Sequence, residues 1–430
     1  MSGPQMITLG CRLNIAESEA MRQLAAGEDD LIIVNSCAVT NEAVRQTRQA
    51  IRRAKRARPE ARVVVTGCAA EVEPETFAAM AEVDRVVGNG GKFALPSFRR
   101  KPESPAATGA AANLYEIPGG LPSKYYFDGV PFAGMTSGPA SYTDRSRAFV
   151  EVQNGCDHRC TFCIIPFGRG DSRSVPAGLV VERIKSLVGE GFKEVVLTGV
   201  DVTSYGPDLP GAPSLGLLIE RILRHVPDLP RLRLSSLDCI EIDARLEDII
   251  ASHPRFMPHL HMSFQAGDDM VLKRMKRRHS RAEAVETVRR LKSKRPALAI
   301  GADLIAGFPT ETDAMHENSV ALVAECDIVM GHVFPYSAKA GTPAARMPQV
   351  SAAAIKERAR RLREACARQR RIWLEGLVGT TQHVLAERGG GGHAENFAPV
   401  RLPAGFGAVG EVVPVRITGV DGARLVGVAA

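Results

Sequence analysis

The chain has 430 residues, 45% of them hydrophobic, which suits about three domains with apolar cores of their own. Because no basic patch leads into an apolar stretch at the start and no run of about 18 apolar residues follows, we expect neither secretion nor a membrane span, and we place the protein in the cytoplasm. The net charge of +7 is modest, and nine cysteines in a reducing compartment indicate metal ligation, redox chemistry or core packing rather than disulfides.

Residues 1–98 alternate short β-branched runs with helical patterns, with predicted strands at 6–9, 31–34 and 63–66. This βαβ order predicts a parallel sheet. One cysteine follows each strand, namely Cys11, Cys37 and Cys68. Since parallel strands end at one shared edge, three cysteines should meet there. A single cysteine at such an edge would usually be packing, but three in one register favour a metal cluster with three protein ligands.

Residues 99–141 are rich in Pro, Gly, Ala and Ser and are predicted to be a linker. Residues 142–375 alternate strands and helices, which predicts an incomplete (β/α)6 barrel with its chemistry on the loops after the strands. Residues 376–430 predict a small β-barrel with strands at 381–386, 397–402, 411–417 and 425–428. The predicted strands of the central barrel are 149–152, 195–198, 231–235, 259–263, 299–305 and 328–333.

A loop directly after the first central strand carries Cys156, Cys160 and Cys163. Three thiolates on one short loop can hold a cubane whose usual complement is four cysteines, which leaves one iron open to a substrate atom. The competing metal interpretation is a structural zinc site, which would have to recruit His158 or a distant residue as the fourth ligand. Coincidental packing of three cysteines is the remaining alternative. Cys239, Cys326 and Cys366 show no such spacing and are predicted to be core residues.

Basic residues are bunched in three runs, each of which is as typical of a solvated helix face as of phosphate binding. All three together favour a nucleic acid as partner. Arg169 and Arg173, just beyond the cysteine loop, are candidates for a substrate phosphate or carboxylate or for structural salt bridges. The runs are Arg45, Arg48, Arg52, Arg53, Lys55, Arg56 and Arg58; Lys273, Arg274, Lys276, Arg277 and Arg278; and Arg358, Arg360, Arg361, Arg363 and Arg368.

The C-x-x-x-C-x-x-C spacing, with Phe162 before the last cysteine, resembles the radical S-adenosylmethionine (SAM) superfamily. Over nearly the whole chain except the linker, the sequence resembles its methylthiotransferase branch. The motifs that carry this resemblance lie at 9–14, 35–40, 66–68, 155–166, 197–200, 307–309, 334–337 and 341–343.

The resemblance implies two 4Fe-4S clusters, an auxiliary one on Cys11, Cys37 and Cys68 and a radical one on Cys156, Cys160 and Cys163. It implies that one SAM molecule donates a methyl group to sulfur while a second gives the 5'-deoxyadenosyl radical. It further implies that 376–430 is an RNA-binding TRAM barrel and that a flavodoxin- or ferredoxin-type protein donates electrons. The polar and aromatic groups expected to contact SAM are Phe162, Gly199, Asp201, Ser235, Gln265 and Asp303; no further catalytic residue is assigned.

The segment 35–43, followed by Arg45 and Gln46, is similar to the branch that methylthiolates C2 of N6-threonylcarbamoyladenosine at position 37, beside the tRNA anticodon. The expected partner is therefore the tRNA anticodon stem-loop. Two other branches stay open, one acting on N6-isopentenyladenosine in tRNA and one on a ribosomal-protein aspartate. A different class, a non-catalytic iron-sulfur regulator that binds RNA, would use the same cysteines and basic runs.

Overall fold

The computed structural model describes residues 3–94, 97–99, 146–403 and 405–430. The predicted linker at 99–141 lies outside the described residues except for Arg99. The described residues form two compact units. The first holds those up to 99 together with Gly155–His158 and Cys163–Asp171, and the second holds the rest. No helix in the described part of the chain is long and apolar enough to cross a membrane.

The first unit is built on a parallel sheet in the order β1-β2-β3-β4, as the βαβ pattern predicted. Its short fourth strand was not predicted, because two residues show no periodicity. The strands are β1 (Gln5–Thr8), β2 (Leu31–Ser36), β3 (Arg62–Gly67) and β4 (Arg85–Val86). The helices are α1 (Arg12–Leu24), α2 (Asn41–Ala57), α3 (Cys68–Val72), α4 (Pro74–Ala78) and α5 (Ile165–Arg169).

Strand β2 is buried along its whole length because the sheet has apolar residues on both faces. Ile32 and Val34 belong to one core cluster, while Leu31 and Ile33 belong to another on the opposite face. This double burial explains why the strand is a continuous apolar run rather than an alternating one. The loops that carry the cysteines lie at the edge of the sheet formed by the carboxyl ends of the strands.

The central part of the second unit contains all six predicted strands, within two residues of their predicted bounds. They lie in two parallel sheets, β5-β8-β9 and β10-β11-β12-β13, the second of which includes the additional short strand β10. Two further short strands, β6 and β7, form a separate antiparallel pair. The strands are β5 (Ala148–Glu151), β6 (Gln153–Asn154), β7 (Arg173–Ser174), β8 (Glu194–Thr198), β9 (Arg231–Leu234), β10 (Ser236–Leu237), β11 (His259–Gln265), β12 (Ala299–Ala306) and β13 (Ile328–Pro335).

Helices follow most of these strands, in the alternation that the sequence predicted. Their amphipathic character is well shown by the helix from Leu215, whose first turn is capped by the hydroxyl of Ser214 and whose apolar face is buried. The helices are α6 (Ala177–Gly189), α7 (Leu215–His225), α8 (Ala244–Ser252), α9 (Asp269–Met275), α10 (Arg281–Lys294), α11 (Asp313–Glu325) and α12 (Ala352–Glu375).

The last part of the second unit is a closed barrel with the strand order β14-β15-β16-β18-β17, which confirms the predicted small β-barrel. Its interior is lined by residues such as Val384, Val400 and Val415. Strand β15 was not predicted, since two of its three residues are glycines with weak strand propensity. The strands are β14 (Thr381–Glu387), β15 (Gly391–His393), β16 (Pro399–Arg401), β17 (Val412–Asp421) and β18 (Arg424–Ala429).

Candidate metal centre

Three cysteines follow three neighbouring strands of the first unit. Cys11 caps the start of α1 after β1, Cys37 follows β2, and Cys68 begins α3 after β3. The strands are parallel and in register, with Thr8 beside Asn35 and Asn35 beside Thr66. Their carboxyl ends therefore present all three cysteines at one edge of the sheet.

The approach of these loops is close enough to require a glycine. A Cβ atom on Gly10 would lie 2.7 Å from the Cβ of Cys37 and 3.0 Å from its sulfur, and the backbone of Gly10 has a φ of +101°. Desolvation raises the pKa of Cys37 to about 11, and the thiols of Cys68 and Cys11 contribute further to that rise. The thiols thus lie within electrostatic reach of one another.

A bound cation would offset the cost of ionising these thiols together, which is the chemistry of a thiolate-ligated cluster. Desolvation also raises the pKa of Cys11, although the residue as a whole is exposed. The donor set therefore fits a soft, multiply charged metal group. Three ligands from three strands would leave one metal position for an exogenous atom.

An amide holds the cysteine loops in place. The Asn14 amide nitrogen donates to the carbonyl oxygens of Leu9, at 2.7 Å, and Ser36, at 3.1 Å, so it ties the ends of β1 and β2 together. The Cys11 thiol lies 3.6 Å from the Asn14 carbonyl oxygen. Ser36 donates to the carbonyl oxygen of Thr66 and accepts from the backbone N–H of Ala70 at 3.1 Å, which adds the end of β3.

Arg169 is buried in the first unit, where its guanidinium donates to the carboxylate of Glu17 at 2.6 Å. Of the two interpretations from the sequence, substrate binding and a structural salt bridge, the structure shows the ion pair. Its Nε also lies 3.1 Å from the sulfur of Cys68. In the sequence Arg169 is close to Cys163, and nothing in the sequence indicates its contact with Cys68.

The loop with Cys156, Cys160 and Cys163 begins after β6 at Gly155. Gly155 has a φ of +73°, and a Cβ atom there would lie 1.9 Å from the carbonyl oxygen of Asp171, so the turn requires glycine. The backbone N–H of Cys156 donates to the carbonyl oxygen of Gly170 at 3.0 Å, and the sulfur of Cys163 accepts from the N–H of Ile165 at 3.4 Å.

In the second unit, the middle cysteine of the loop faces an arginine that sequence reasoning missed. Arg277 places Nη1 3.8 Å from the sulfur of Cys160, while its Nη2 donates to Asp238 and to the carbonyl oxygen of Ser263, both at 2.8 Å. Although burial would raise it, contacts with His279 and Arg277 lower the pKa of Asp238 to about 2. Arg277 belongs to the second basic run, and nothing in its spacing distinguished it from the neighbouring cations.

Five of the six residues expected to contact SAM lie at or just beyond the carboxyl ends of central strands or on the cysteine loop. Ser235 is buried after β9, and its hydroxyl has no hydrogen-bond partner among the described residues, which leaves it available to a ligand. Asp201 follows β8 and accepts from the hydroxyls of Thr203 and Ser204. Gln265 ends β11 with a φ of +65°.

Phe162, Gly199 and Asp303 contact other protein groups, and their contact with SAM stays a prediction. Phe162 lies edge-on to Phe308, with ring centroids 6.4 Å apart, in an apolar cluster. Gly199 has no room for a side chain, because a Cβ atom would lie 2.6 Å from the carbonyl oxygen of Gln153. Asp303 lies inside β12, where its Oδ1 is 2.9 Å from His261 Nε2 and 3.2 Å from His332 Nδ1. Although burial would raise the pKa of Asp303, these imidazoles lower it.

The basic runs differ in how many of their charges are already neutralised. In the first run, Arg48, Arg53 and Arg56 are exposed along α2. In the third run, Arg358 is buried against Glu311, and Arg360 pairs with both Glu357 and Glu364. Of these two runs, the first, on the exposed face of α2, is therefore the better candidate for phosphate contacts.

The parallel strands and the three-cysteine loop define a radical SAM protein, and residues 150–323 match the family model described as the radical SAM superfamily. Residues 4–88 match that of an uncharacterized protein family, UPF0004. The cobalamin-dependent SAM radical enzyme OxsB has a similar fold, with a TM-score of 0.50 and 10% identity, covering 85% of this chain and 56% of that one. Membership in the superfamily brings SAM and a 4Fe-4S cluster as cofactors.

A threonylcarbamoyladenosine tRNA methylthiotransferase, MtaB, of Rickettsia prowazekii is 46% identical over 419 residues, covering 97% of this chain and 95% of that protein. A tRNA-2-methylthio-N(6)-dimethylallyladenosine synthase of Cereibacter sphaeroides is 31% identical, covering 96% and 94%. The chain belongs to the family of radical SAM tRNA methylthiotransferases.

Proposed function

We propose that this protein methylthiolates C2 of N6-threonylcarbamoyladenosine at position 37 of tRNA, which gives 2-methylthio-N6-threonylcarbamoyladenosine. The observation that carries the proposal is the 46% identity to the Rickettsia prowazekii enzyme over nearly the whole of both chains. The identity to the dimethylallyladenosine synthase is 31%, which favours threonylcarbamoyladenosine as the substrate.

Six cysteines would hold two clusters, the radical cluster on Cys156, Cys160 and Cys163 and the auxiliary cluster on the edge cysteines Cys11, Cys37 and Cys68. When bound, these clusters and SAM supply a hydrogen-abstracting radical and the sulfur and methyl groups of the product. The protein would bind and orient these groups and exclude water. Ser235, with its unpartnered buried hydroxyl, and Asp201 and Gln265 at the strand ends are the groups we assign to SAM.

We assign 1–98 to the auxiliary site, 142–375 to the radical reaction and 376–430 to RNA binding, joined by 99–141. The exposed arginines lie on α2, the helix that follows Cys37 in the chain, so they would contact phosphates of the anticodon stem-loop near the auxiliary site. A low-potential flavodoxin- or ferredoxin-type protein would donate electrons, and the reaction would take place in the cytoplasm.

Nucleoside mass spectrometry tests the proposal. Total tRNA from a strain without this gene should lose the methylthio threonylcarbamoyl nucleoside and accumulate its unmodified precursor, and the wild-type gene should restore the product. Loss of the methylthio isopentenyl nucleoside instead would move the protein to that branch. Loss of neither would remove both tRNA assignments and leave the ribosomal-protein target or a non-catalytic role.

Two activities of the purified, anaerobically reconstituted protein separate the two cysteine sites: formation of 5'-deoxyadenosine from SAM and thiolation of tRNA. Cys68→Ser should keep reductive formation of 5'-deoxyadenosine but stop thiolation of tRNA, whereas Cys160→Ser should stop both. Cys326→Ala is the matched control, because this cysteine is fully buried in the core of the second unit and should leave both activities in place. Product formation by Cys68→Ser would rule out the auxiliary role of the edge cysteines.

A further inference from the structure

A buried triad of charged side chains, Arg169, Glu17 and Lys92, lies beside Cys68 at the edge of the first unit's sheet. We propose that Arg169 is a positioning residue for the auxiliary site, which fixes the loops of the edge cysteines and holds a positive charge against their sulfurs. The proposal rests on the proposed function, since it concerns the cluster assigned to those cysteines.

All three nitrogens of the Arg169 guanidinium are engaged. Nη1 donates to the carboxylate of Glu17 at 2.6 Å, Nη2 donates to the side-chain oxygen of Asn14 at 2.6 Å, and Nε points to the sulfur of Cys68 at 3.1 Å. Arginine is suited to this role because its planar fork fixes several directions at once. A lysine would keep the charge but lose this geometry.

These contacts reach all three strand ends. Asn14 binds the carbonyl oxygens of Leu9 and Ser36, and so lies between the loops of Cys11 and Cys37, while Nε addresses Cys68 directly. The arrangement therefore connects the guanidinium to the placement of the whole ligand set.

The triad contains one carboxylate and two basic groups. Lys92 Nζ lies 2.6 Å from Glu17 Oε1, so one buried carboxylate is paired with two buried cations. Although burial would raise it, Arg169 and Lys92 lower the pKa of Glu17 to about 2, which keeps the carboxylate ionised. Burial lowers the pKa of Lys92, so the guanidinium of Arg169, which stays charged, is the positive charge that lies against the sulfur of Cys68.

Lys92 is itself held in place by the segment that carries Arg169. Its Nζ donates to the side-chain oxygen of Asn89 at 2.8 Å, and the Asn89 amide donates to the carbonyl oxygen of Gly168. A Cβ atom on Gly168 would lie 3.5 Å from the Cβ of Cys68, so α5 packs directly on that cysteine. Arg169 thus reaches Cys68 from a helix that begins two residues after Cys163 in the sequence.

Two consequences follow. Without the guanidinium, the edge cysteines should retain a cluster poorly, because both the loop geometry and the charge compensation are removed. Any cluster retained should have a more negative reduction potential than in the wild type. Reduction adds negative charge to the cluster, and a nearby positive charge and hydrogen bonds to sulfur stabilise that reduced state. Removal of the guanidinium takes this stabilisation away.

The test uses full-length protein reconstituted anaerobically with iron and sulfide. Wild type should bind about eight irons per chain, Arg169→Gln about four and Arg169→Lys an intermediate number, since each cubane holds four irons. A redox titration followed by electron paramagnetic resonance measures the reduction potential of any auxiliary cluster that Arg169→Gln retains. This potential should be more negative than that of the auxiliary cluster in the wild type. Arg62→Gln is the control, because Arg62 pairs with Glu28 and Asp30 at the start of β3, the end of that strand opposite Cys68.

In Arg169→Gln the carboxylate of Glu17 keeps its pair with Lys92, and Arg169→Lys keeps the positive charge as well, so both variants should fold and still lose iron. About four irons in wild type would count against the proposed function itself. Two clusters in wild type together with two clusters of unchanged potential in Arg169→Gln would overturn the positioning role alone. Loss of the folded state in both Arg169→Gln and Arg169→Lys, judged by circular dichroism, would assign Arg169 a purely structural role and also overturn the proposal.

Discussion

The guanidinium of Arg233, on central strand β9, donates to the backbone carbonyl of Ala394 in the terminal barrel at 2.9 Å. Its Nε lies 2.9 Å from Glu194, which also pairs with Arg147 at 2.8 Å. The ring of Phe397 packs beneath both arginines, with its centroid 5.1 Å from the guanidinium carbon of Arg233 and 5.3 Å from that of Arg147. The terminal barrel is therefore attached to the central strands by a buried and specific contact.

Removing Arg233 should loosen this attachment. Arg233→Gln leaves the buried carboxylate of Glu194 with less compensation, and we expect a loss of roughly 3 kcal/mol in stability, as for other broken buried pairs. Trp373 packs against the core of the terminal barrel, so its fluorescence reports unfolding there. Chemical denaturation of the full-length protein, followed by this fluorescence, measures the loss of stability. Arg401→Gln is the matched control, because Arg401 forms an exposed pair with Asp421 and should cost about 1 kcal/mol or less. Equal losses in the two variants would contradict the attachment.

Strands such as β2, β8 and β11 could be predicted because each is a largely buried run of five or more residues between helices. The two-residue strands could not, because their pairing depends on partners far along the chain. The edge cysteines were brought together in prediction by the geometry of parallel strands alone. The ion pair between Arg169 and Glu17 could not be predicted, because the two residues are 152 positions apart in the sequence and meet only through tertiary packing.

The exposed face of α2 should supply phosphate contacts to tRNA. Arg48, Arg53 and Arg56 point away from the buried residues of this helix. Changing all three to glutamine should weaken tRNA binding by roughly tenfold or more at moderate salt, and the slope of log Kd against log salt should fall by about one for each phosphate that is no longer bound. Filter binding at several salt concentrations measures both. Changing Arg245, Arg360 and Arg361 to glutamine removes three arginines that are already paired with glutamates, and an equal effect there would show that only net charge matters.

Glu311 should make stability depend on pH. Burial raises its pKa to about 7, even though the N–H of Gly307 and the guanidinium of Arg358 donate to its carboxylate and lower it. A raised pKa means that the folded state holds the proton more tightly, so this contribution is present below the ordinary value near 4.5 and is lost as pH rises through 7.

Glu311→Gln imitates the protonated form and should not lose that contribution. Between pH 5.5 and pH 8, the stability of the variant relative to wild type should rise by about 2 kcal/mol. Urea unfolding at the two pH values measures the change, and Glu357→Gln, at an exposed helix position, should show little. A constant difference between variant and wild type would mean that Glu311 is ionised throughout this range.

Gly10 and Gly27 offer a paired test of the auxiliary site. Both have a positive φ, +101° and +91°, so alanine at either position strains the backbone by a similar amount, about 1 kcal/mol. They differ in their surroundings. A Cβ atom on Gly27 has no neighbour within 4 Å, whereas one on Gly10 would lie 2.7 Å from the Cβ of Cys37.

Gly10→Ala should therefore displace the Cys37 loop and lower the iron bound after reconstitution from about eight to about four per chain, while Gly27→Ala should keep about eight. The radical site should be unaffected, so both variants should form 5'-deoxyadenosine from SAM, and only Gly27→Ala should thiolate tRNA. Equal iron in the two variants would show that Cys37 moves away without loss of the cluster. The glycine would then serve the turn after β1 rather than the approach of two ligand loops.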